Sequence, residues 1–186
     1  SFLNKLSIKR WYSFLNFQKK NLKKVKRVIS PSKSSKKDIC RYFDYPEDQI
    51  SVIWNGIDLD DCKFHQRSAF NSEFVTIISS DVPMKNLKNI LKALYLLKND
   101  GLNARLTIIG DLREVNKKLI EDLGLGDLVS FKPKLPRNEL IEILNASDIG
   151  IAASSYEGFG FPLVEMIATG LPVIVSDKAS LPELAG

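Results

Sequence analysis

Residues 148–176 read DIGIAASSYEGFGFPLVEMIATGLPVIVS, and this stretch is the clearest indication of the fold. A short apolar run over residues 148–153 leads through a loop with two glycines into a helical pattern over residues 161–169, and a second apolar run follows at residues 172–176. Short buried strands that alternate with amphipathic helices are typical of a parallel sheet covered by helices. The stretch therefore predicts a strand–helix–strand unit.

The same alternation extends back to residue 74. Strands are predicted at residues 74–79, 105–109, 128–131, 148–153 and 172–176. Helices are predicted at residues 87–98, 113–123, 137–145, 161–169 and 180–185. This pattern predicts the α/β class, with a Rossmann-like parallel sheet and helices on both of its faces. Ligands of such sheets bind outside the carboxyl ends of the strands, so we expect the chemistry in the loops that follow the strands.

The N-terminal part of the chain has a different pattern. Residues 1–28 mix basic and large apolar side chains at helical spacing, which predicts one or two basic amphipathic helices. A short strand is predicted at residues 27–30, a helix at residues 34–43 and a second short strand at residues 51–54.

The positive charge of the chain is concentrated in this N-terminal part. The formal net charge is +5, but Ser1 to Lys37 holds twelve Lys or Arg and no acidic residue, while the rest holds fifteen basic and twenty-two acidic residues. Such a segment lies on an anionic membrane surface, binds an acidic partner, or covers a neighbouring domain with its apolar side. No DNA- or RNA-binding motif is present, so nucleic acid is not expected as a partner.

Composition indicates a water-soluble chain. The hydrophobic content of 44% is ordinary for a globular protein, and the apolar runs are shorter than the roughly 20 residues that span a bilayer. No signal-peptide pattern opens the sequence, so we expect a cytoplasmic location. Cys40 and Cys62 have neither disulfide-framework nor zinc-site spacing, and we expect buried, reduced thiols.

The loop at residues 154–160 has the features of a phosphate-binding helix start. Its two glycines permit tight turns, and Pro162 suits the first helical turn. The free N–H groups of that turn predict a position for a diphosphate. Glu157 in the loop and Glu165 one turn into the helix are predicted to flank it, where carboxylates accept hydrogen bonds from the paired hydroxyls of a nucleotide sugar. The simpler alternative is that Glu165 complements the helix dipole and Glu157 is a solvated acid.

Three motifs carry a resemblance to a known family. EGFGFPLVEMIATGLPVIVSDKASLPEL, residues 157–184, resembles the C-terminal-domain signature of the retaining, GT-B-fold glycosyltransferases of family 4, also called glycosyl transferases group 1. RVISPSKSSKKDI, residues 27–39, and ISVIWNGID, residues 50–58, resemble the end of that family's N-terminal domain and its crossing into the C-terminal domain. The resemblance covers roughly residues 24–186.

The resemblance implies a domain organisation. Residues 1–54 would be the tail of an N-terminal, acceptor-side domain, residues 55–72 an inter-domain crossing, and residues 73–186 a truncated C-terminal domain that binds the nucleotide sugar. We therefore expect a piece of a longer protein, which mainly binds the donor and is inactive by itself.

The resemblance also implies roles for single residues. Glu157 would hold hydroxyls of the transferred sugar, and Glu165 would hold the ribose hydroxyls. Lys85 matches the family's diphosphate lysine, and Lys85 and Glu157 are the implied catalytic residues. The family usually has an arginine five residues before this lysine, where Ser80 stands here, so half of the usual positive clamp is absent. The implied donor-binding set, with the backbone of residues 159–161 on the diphosphate, is Ser80, Lys85, Glu157, Gly158, Phe159, Gly160, Phe161, Leu163 and Glu165.

Other polar residues give weaker signals. His65 is expected at the surface or in packing, and Asp81 and Asp111 follow strands, where they either line the cleft or have no chemical role. Glu183 matches an acidic position of the signature or simply begins a helix. No metal and no cofactor beyond the donor sugar is expected, because the helix dipole and Lys85 supply positive potential.

The resemblance implies the activity. The longer protein would transfer a hexose from a nucleoside-diphosphate sugar to a glycan, lipid-linked or secondary-metabolite hydroxyl, with retention of the anomeric configuration. The alternatives are a non-catalytic nucleotide-sugar-binding or regulatory protein on the same fold, and a nucleotide-sugar epimerase. A peripheral position on the inner face of the membrane, through residues 1–28, would suit a glycan or lipid-linked acceptor.

Overall fold

The computed structural model describes residues 2–60, 62, 69–78 and 81–186, without the side chains of residues 2–9 and 11. The chain divides into two compact units, Ser1–Asn55 and Gly56–Gly186.

Within the described residues, the first unit contains two α-helices, a 3-10 turn at Glu47–Gln49 and a pair of short parallel strands. Its elements are α1 (Phe2–Leu22), β1 (Val28–Ser30), α2 (Lys33–Phe43) and β2 (Ile50–Val52), and β1 pairs with β2 in parallel. The Ser32 hydroxyl caps α2 by accepting the Ser35 N–H at 2.9 Å. These elements confirm the strand and helix predictions for this part of the chain.

Residues 1–28 were predicted to form one or two amphipathic helices, and α1 is a single continuous helix of 21 residues. Along its described part, Tyr12, Phe14 and Phe17 are exposed beside Lys19 and Lys20. Among the described residues, no helix combines the length and the apolar character that a membrane span requires.

The second unit is built on a parallel sheet of five strands within the described residues. The strands are β3 (Glu73–Ile78), β4 (Arg105–Gly110), β5 (Val129–Lys132), β6 (Ile149–Ala152) and β7 (Val173–Val175). The helices are α3 (Leu87–Asn99), α4 (Glu114–Asp122), α5 (Arg137–Ala146), α6 (Phe161–Ala168) and α7 (Leu181–Ala185). The strand order is β5-β4-β3-β6-β7, and every pair is parallel, which confirms the predicted α/β fold.

Side chains on the two faces of the central strand β3 enter different cores. Ile78 packs with residues of α3 and β4 such as Leu91 and Leu106. Val75 packs with residues of α5 and α6 such as Leu144 and Met166. Because side chains of a strand alternate between its faces, helices cover both faces of the sheet, as predicted.

Gly150 allows α6 to pack closely on β6. A Cβ atom at this position would lie 2.3 Å from the Met166 Sδ and 3.1 Å from the Leu171 Cδ2. The approach to the Met166 Sδ is too short for a packed interior, so a side chain at Gly150 would require Met166 to move.

The strand order creates a switch point beside β3. The chain runs outward from β3 to β4 and β5, then returns to place β6 on the other side of β3. Crevices at the carboxyl ends of strands on either side of such a switch point are the usual ligand sites of open α/β sheets. The loops after β3 and β6 therefore frame the candidate site.

Candidate donor-binding site

Hydrogen bonds tie the loop after β3 to the loop after β6. The Ser155 N–H donates to the Met84 carbonyl at 2.8 Å, and the Asn86 side-chain amide donates to the Ala153 carbonyl at 3.0 Å. Asn86 has a left-handed backbone with φ of 58° and links the 3-10 turn Pro83–Lys85 to α3. Asparagine is among the few residues that adopt this conformation readily. The local sequence therefore favours the turn that places Lys85 at its end.

Lys85 and Glu157 meet in the cleft between these loops. The Lys85 Nζ lies 2.6 Å from the Glu157 Oε1, and the side chains are 13% and 19% exposed. The Ser154 hydroxyl donates to the same oxygen at 2.8 Å. The structure thus brings together the two residues for which the family resemblance implies catalytic roles, although they are 72 positions apart.

The start of α6 forms another wall of this cleft. Gly160 precedes the helix with φ of 114°, in the left-handed region that favours glycine, and Pro162 lies in the first turn. Phe159 is buried, whereas Phe161 is half-exposed and meets the Phe159 ring edge-on at a centroid distance of 5.2 Å. The lining of the cleft includes Lys85, Ser154, Glu157, Gly160, Pro162 and Leu163.

Ser180 holds the loop between Glu157 and α6. Its buried hydroxyl lies 3.0 Å from the Glu157 carbonyl and 2.5 Å from the Phe159 carbonyl. A single hydroxyl hydrogen is shared between two acceptors here, which links the residue before α7 to the predicted diphosphate loop. Sequence reasoning did not single out Ser180, because its partners lie more than 20 positions away.

Glu165 is engaged by a different cation. The Arg137 Nη1 donates to the Glu165 Oε1 at 2.6 Å, and the side chains are 34% and 19% exposed. Glu165 is not among the described residues that line the cleft at Lys85. Sequence reasoning missed Arg137, although its place at the start of the helix after β5 puts it at the same edge of the sheet as the other loops.

Asp81 has a structural role that the sequence left open. It is 4% exposed, and its carboxylate accepts the Arg113 N–H at 2.9 Å and the Asn116 side-chain amide at 2.7 Å. These contacts cap the start of α4 from a neighbouring loop. The negative charge of Asp81 is favourable there, because the N-terminal end of a helix dipole is positive. Asp111 is exposed, and Glu183 lies in the first turn of α7.

Two predicted positions lie outside the described residues. These are Ser80, which stands where the family usually has an arginine, and His65. Of the two cysteines, Cys62 is buried, and Cys40 is only partly buried. Across the described parts of the chain, no group of three or more His, Cys, Asp or Glu residues is arranged to hold a metal ion.

Comparison with known proteins identifies the family. The family model described as glycosyl transferases group 1 matches residues 60–186, which is more than half of the chain. The chain belongs to the glycosyl transferases group 1 family. A second model, glycosyltransferase family 4, matches residues 2–61. The family membership confirms the resemblance that the sequence motifs carry.

Two relatives of this group 1 chain are named as mannosyltransferases. It is 30% identical over 182 residues to the MMP α-(1→4)-mannosyltransferase of Mycolicibacterium hassiacum, covering 96% of the chain and 44% of the relative. It is 30% identical over 161 residues to the O-antigen chain mannosyltransferase RfbU of Salmonella typhimurium, covering 86% of the chain and 44% of the relative.

A solved structure shares the fold. Sucrose-phosphate synthase from Thermosynechococcus elongatus superposes with a TM-score of 0.78 at 20% identity, covering 91% of this chain and 45% of that one. The group 1 chain thus spans less than half the length of the two curated relatives and of this structure.

Proposed function

We propose that this chain is the donor-binding part of a hexosyltransferase. The longer protein would transfer a hexose from a nucleoside-diphosphate sugar to a hydroxyl of a glycan or lipid-linked acceptor, with retention. The observation that carries the proposal is the contact of 2.6 Å between Lys85 and Glu157 at the carboxyl ends of β3 and β6. One cation and one hydrogen-bond acceptor in a single cleft match the two chemical parts of the donor, its diphosphate and its sugar.

The Lys85–Glu157 ion pair suggests how the donor is received. The Lys85 ammonium and the Glu157 carboxylate neutralise each other. On binding, Lys85 would exchange the carboxylate for a phosphate oxygen, and Glu157 would accept hydroxyls of the sugar while it keeps the Ser154 hydrogen bond. The first-turn N–H groups of α6, at Phe161 and beyond, would add donors to the diphosphate.

The same groups would assist the transfer step. When the bond between the anomeric carbon and the phosphate oxygen breaks, negative charge grows on the leaving diphosphate. A cation and a helix N-terminus that are already oriented stabilise this charge without reorganisation. Lys85 and the start of α6 would therefore lower the barrier, and Glu157 would hold the sugar in place. Family membership supports retention, and the two mannosyltransferase relatives make mannose the first hexose to test.

Calorimetric titration of the chain with GDP, UDP and ADP tests the proposal. One nucleotide should bind, and its hexose conjugate should bind as well. Glu157→Gln should weaken the binding of the nucleotide sugar more than that of the bare nucleotide, because Glu157 is assigned to the sugar. Glu114→Gln is the matched control, since Glu114 pairs with Lys117 at 2.6 Å on α4 and is highly exposed. Failure of a folded chain to bind any of the three nucleotides would refute the proposal.

Transfer and retention are tested on the longer protein. Proton NMR of the first product should show the same anomeric configuration as the donor sugar. Formation of the opposite anomer would refute retention, and hydrolysis without any transfer would refute the acceptor assignment.

We further propose that α1 places the protein at the cytoplasmic, anionic face of a membrane. The support is the exposure of Tyr12 and Phe17 next to Lys19 and Lys20 on one helix. The chain should co-sediment with phosphatidylglycerol vesicles at low salt but not at high salt, because screening weakens attraction between surface charges. Replacing Lys19 and Lys20 by Gln should reduce the bound fraction. Equal binding to neutral phosphatidylcholine vesicles would contradict the proposal.

A further inference from the structure

Arg137, the first residue of α5, contacts groups from α6 and from the segment before β3. Its Nη1 donates to the Glu165 Oε1 at 2.6 Å, and its Nη2 lies 3.3 Å from the Asp58 carbonyl and 3.4 Å from the Cys62 Sγ. Both partners of the ion pair are partly withdrawn from water, at 34% and 19% exposure. The guanidinium is planar, so contacts through two of its nitrogens fix its orientation and, with it, the orientation of the Glu165 carboxylate.

The position of Arg137 runs against helix electrostatics. It is the first residue of α5, where the positive end of the helix dipole favours acidic side chains and disfavours cations. Residues that break a local rule are expected at functional sites, where another gain compensates. Arg137 pairs with the Glu165 carboxylate, which offsets this unfavourable position.

The Arg137 contact leaves acceptor capacity on Glu165. The arginine uses Oε1, and in the described part of the chain no other hydrogen bond to the Glu165 side chain is found. An ionised carboxylate offers about four acceptor positions on its two oxygens. A vicinal pair of hydroxyls can therefore bind the remaining positions without displacing the arginine.

We propose that Arg137 is a positioning residue of the donor site. It holds Glu165 by one oxygen, so that the other accepts hydrogen bonds from the 2′- and 3′-hydroxyls of the donor ribose. The inference rests on the proposed donor-binding function and deepens it, because it makes recognition of the ribose depend on a residue that does not itself contact the nucleotide.

The test compares nucleotides with and without the ribose hydroxyls. GDP, UDP and ADP and their 2′,3′-dideoxy counterparts are titrated into the unchanged chain, Arg137→Met and Arg137→Lys. Arg137→Met should weaken the binding of the preferred nucleotide about tenfold, as expected for loss of a hydrogen bond to a charged group. The affinity for its dideoxy counterpart should change by no more than about twofold, which is the range within which two independent changes add. Arg137→Lys should recover part of the loss, because an ammonium still pairs with Glu165.

Arg105→Met is the matched control. Arg105 pairs with Glu73 at 2.8 Å, also between an arginine and a glutamate, but at the amino ends of β4 and β3. This variant should bind both nucleotides like the unchanged chain. Thermal unfolding of each variant, followed by circular dichroism, shows whether the protein is folded at the titration temperature.

Each outcome decides a different point. Absence of nucleotide binding by the unchanged chain would refute the donor-binding function and the positioning role with it. Normal binding by Arg137→Met would overturn the positioning role alone. Equal losses for the ribose and dideoxy nucleotides would also overturn it, because they would show that Arg137 acts on the diphosphate or on the fold. If Arg137→Met is unfolded, Arg137→Lys decides, and equal losses there likewise overturn the role.

Discussion

Replacing Lys85 by Met removes the cation of the cleft while it keeps most of the volume of the side chain. Lys85 and Glu157 lie 2.6 Å apart and are only 13% and 19% exposed, so Glu157 would lose its ion-pair partner in a site that water reaches poorly. Ser154 would still donate one hydrogen bond to the Glu157 Oε1. Two separate effects follow, one on stability and one on nucleotide binding.

The effect on stability comes from the unpaired carboxylate. Leaving a partly buried charged group without its partner costs about 1–3 kcal/mol of the free energy of unfolding. For a domain of this size, each kcal/mol lowers the melting temperature by about 2–4 °C. Adding Glu157→Gln to Lys85→Met should restore most of this loss, because the amide needs no counter-charge.

The effect on binding comes from the lost contact with the diphosphate. A hydrogen bond between charged groups contributes about 1.5–3 kcal/mol, so the nucleoside diphosphate should bind roughly 10- to 150-fold more weakly. The double variant should not recover this affinity. Calorimetric titration measures the binding, and circular dichroism measures the melting temperature of the same samples.

Lys117→Met is the control for this prediction. Lys117 pairs with Glu114, also at 2.6 Å, but that pair is exposed on α4 and should contribute little. The reasoning would be refuted if Lys85→Met bound the nucleotide normally, or if the double variant regained affinity together with stability.

Three further variants test other parts of the structure. Asp81→Ala should lower the free energy of unfolding by about 1–3 kcal/mol, because Asn116 and the start of α4 lose a buried acceptor, and chemical denaturation measures this; an unchanged midpoint would contradict the capping role. Gly150→Ala should lower the free energy of unfolding by about 1–3 kcal/mol, because its Cβ would lie 2.3 Å from the Met166 Sδ. Met166→Ala leaves a cavity with a cost of its own, but in that background the added cost of Gly150→Ala should be smaller, because the overlap is gone; a melting temperature of Gly150→Ala equal to that of the unchanged chain would argue against close packing here. Ser180→Ala should weaken nucleotide binding and lower stability by about 0.5–1.5 kcal/mol, since the loop at residues 157–159 loses its buried donor; titration and thermal unfolding would show normal values if the loop does not depend on it.

The fold was predictable because its signals are local. Each strand of the second unit is a short apolar run, and each helix shows apolar residues at helical spacing. The α/β class could therefore be predicted without knowing which elements contact one another. The helix start at Gly160 and Pro162 was equally local, since both residues act through their own backbone conformation. The assignment of Lys85 and Glu157 to one donor site required the family resemblance, because the residues are 72 positions apart.

The missed features depend on distant pairs. Arg137 meets Glu165 across 28 positions, and Asp81 meets Asn116 across 35. A lysine, arginine or aspartate in a loop is ordinarily solvated, and no periodic pattern distinguishes one with a buried partner. The assignment of Asp81 as structural and of Arg137 as a partner of Glu165 therefore required coordinates. The domain boundaries at residues 54 and 72 and the roles of the site residues stay predictions.

The central position of β3 has a consequence for synthesis of the chain on the ribosome. β4 covers one edge of β3 early, but the strand that covers the other edge, β6, begins only at Ile149. About seventy residues must be made in between, which takes on the order of 4–14 s at ordinary elongation rates. During that interval the apolar strand β3 presents an unpaired edge to other nascent chains, the kind of edge from which aggregation starts. The strand order that joins Lys85 to Glu157 therefore leaves an apolar strand edge unpaired throughout this interval of synthesis.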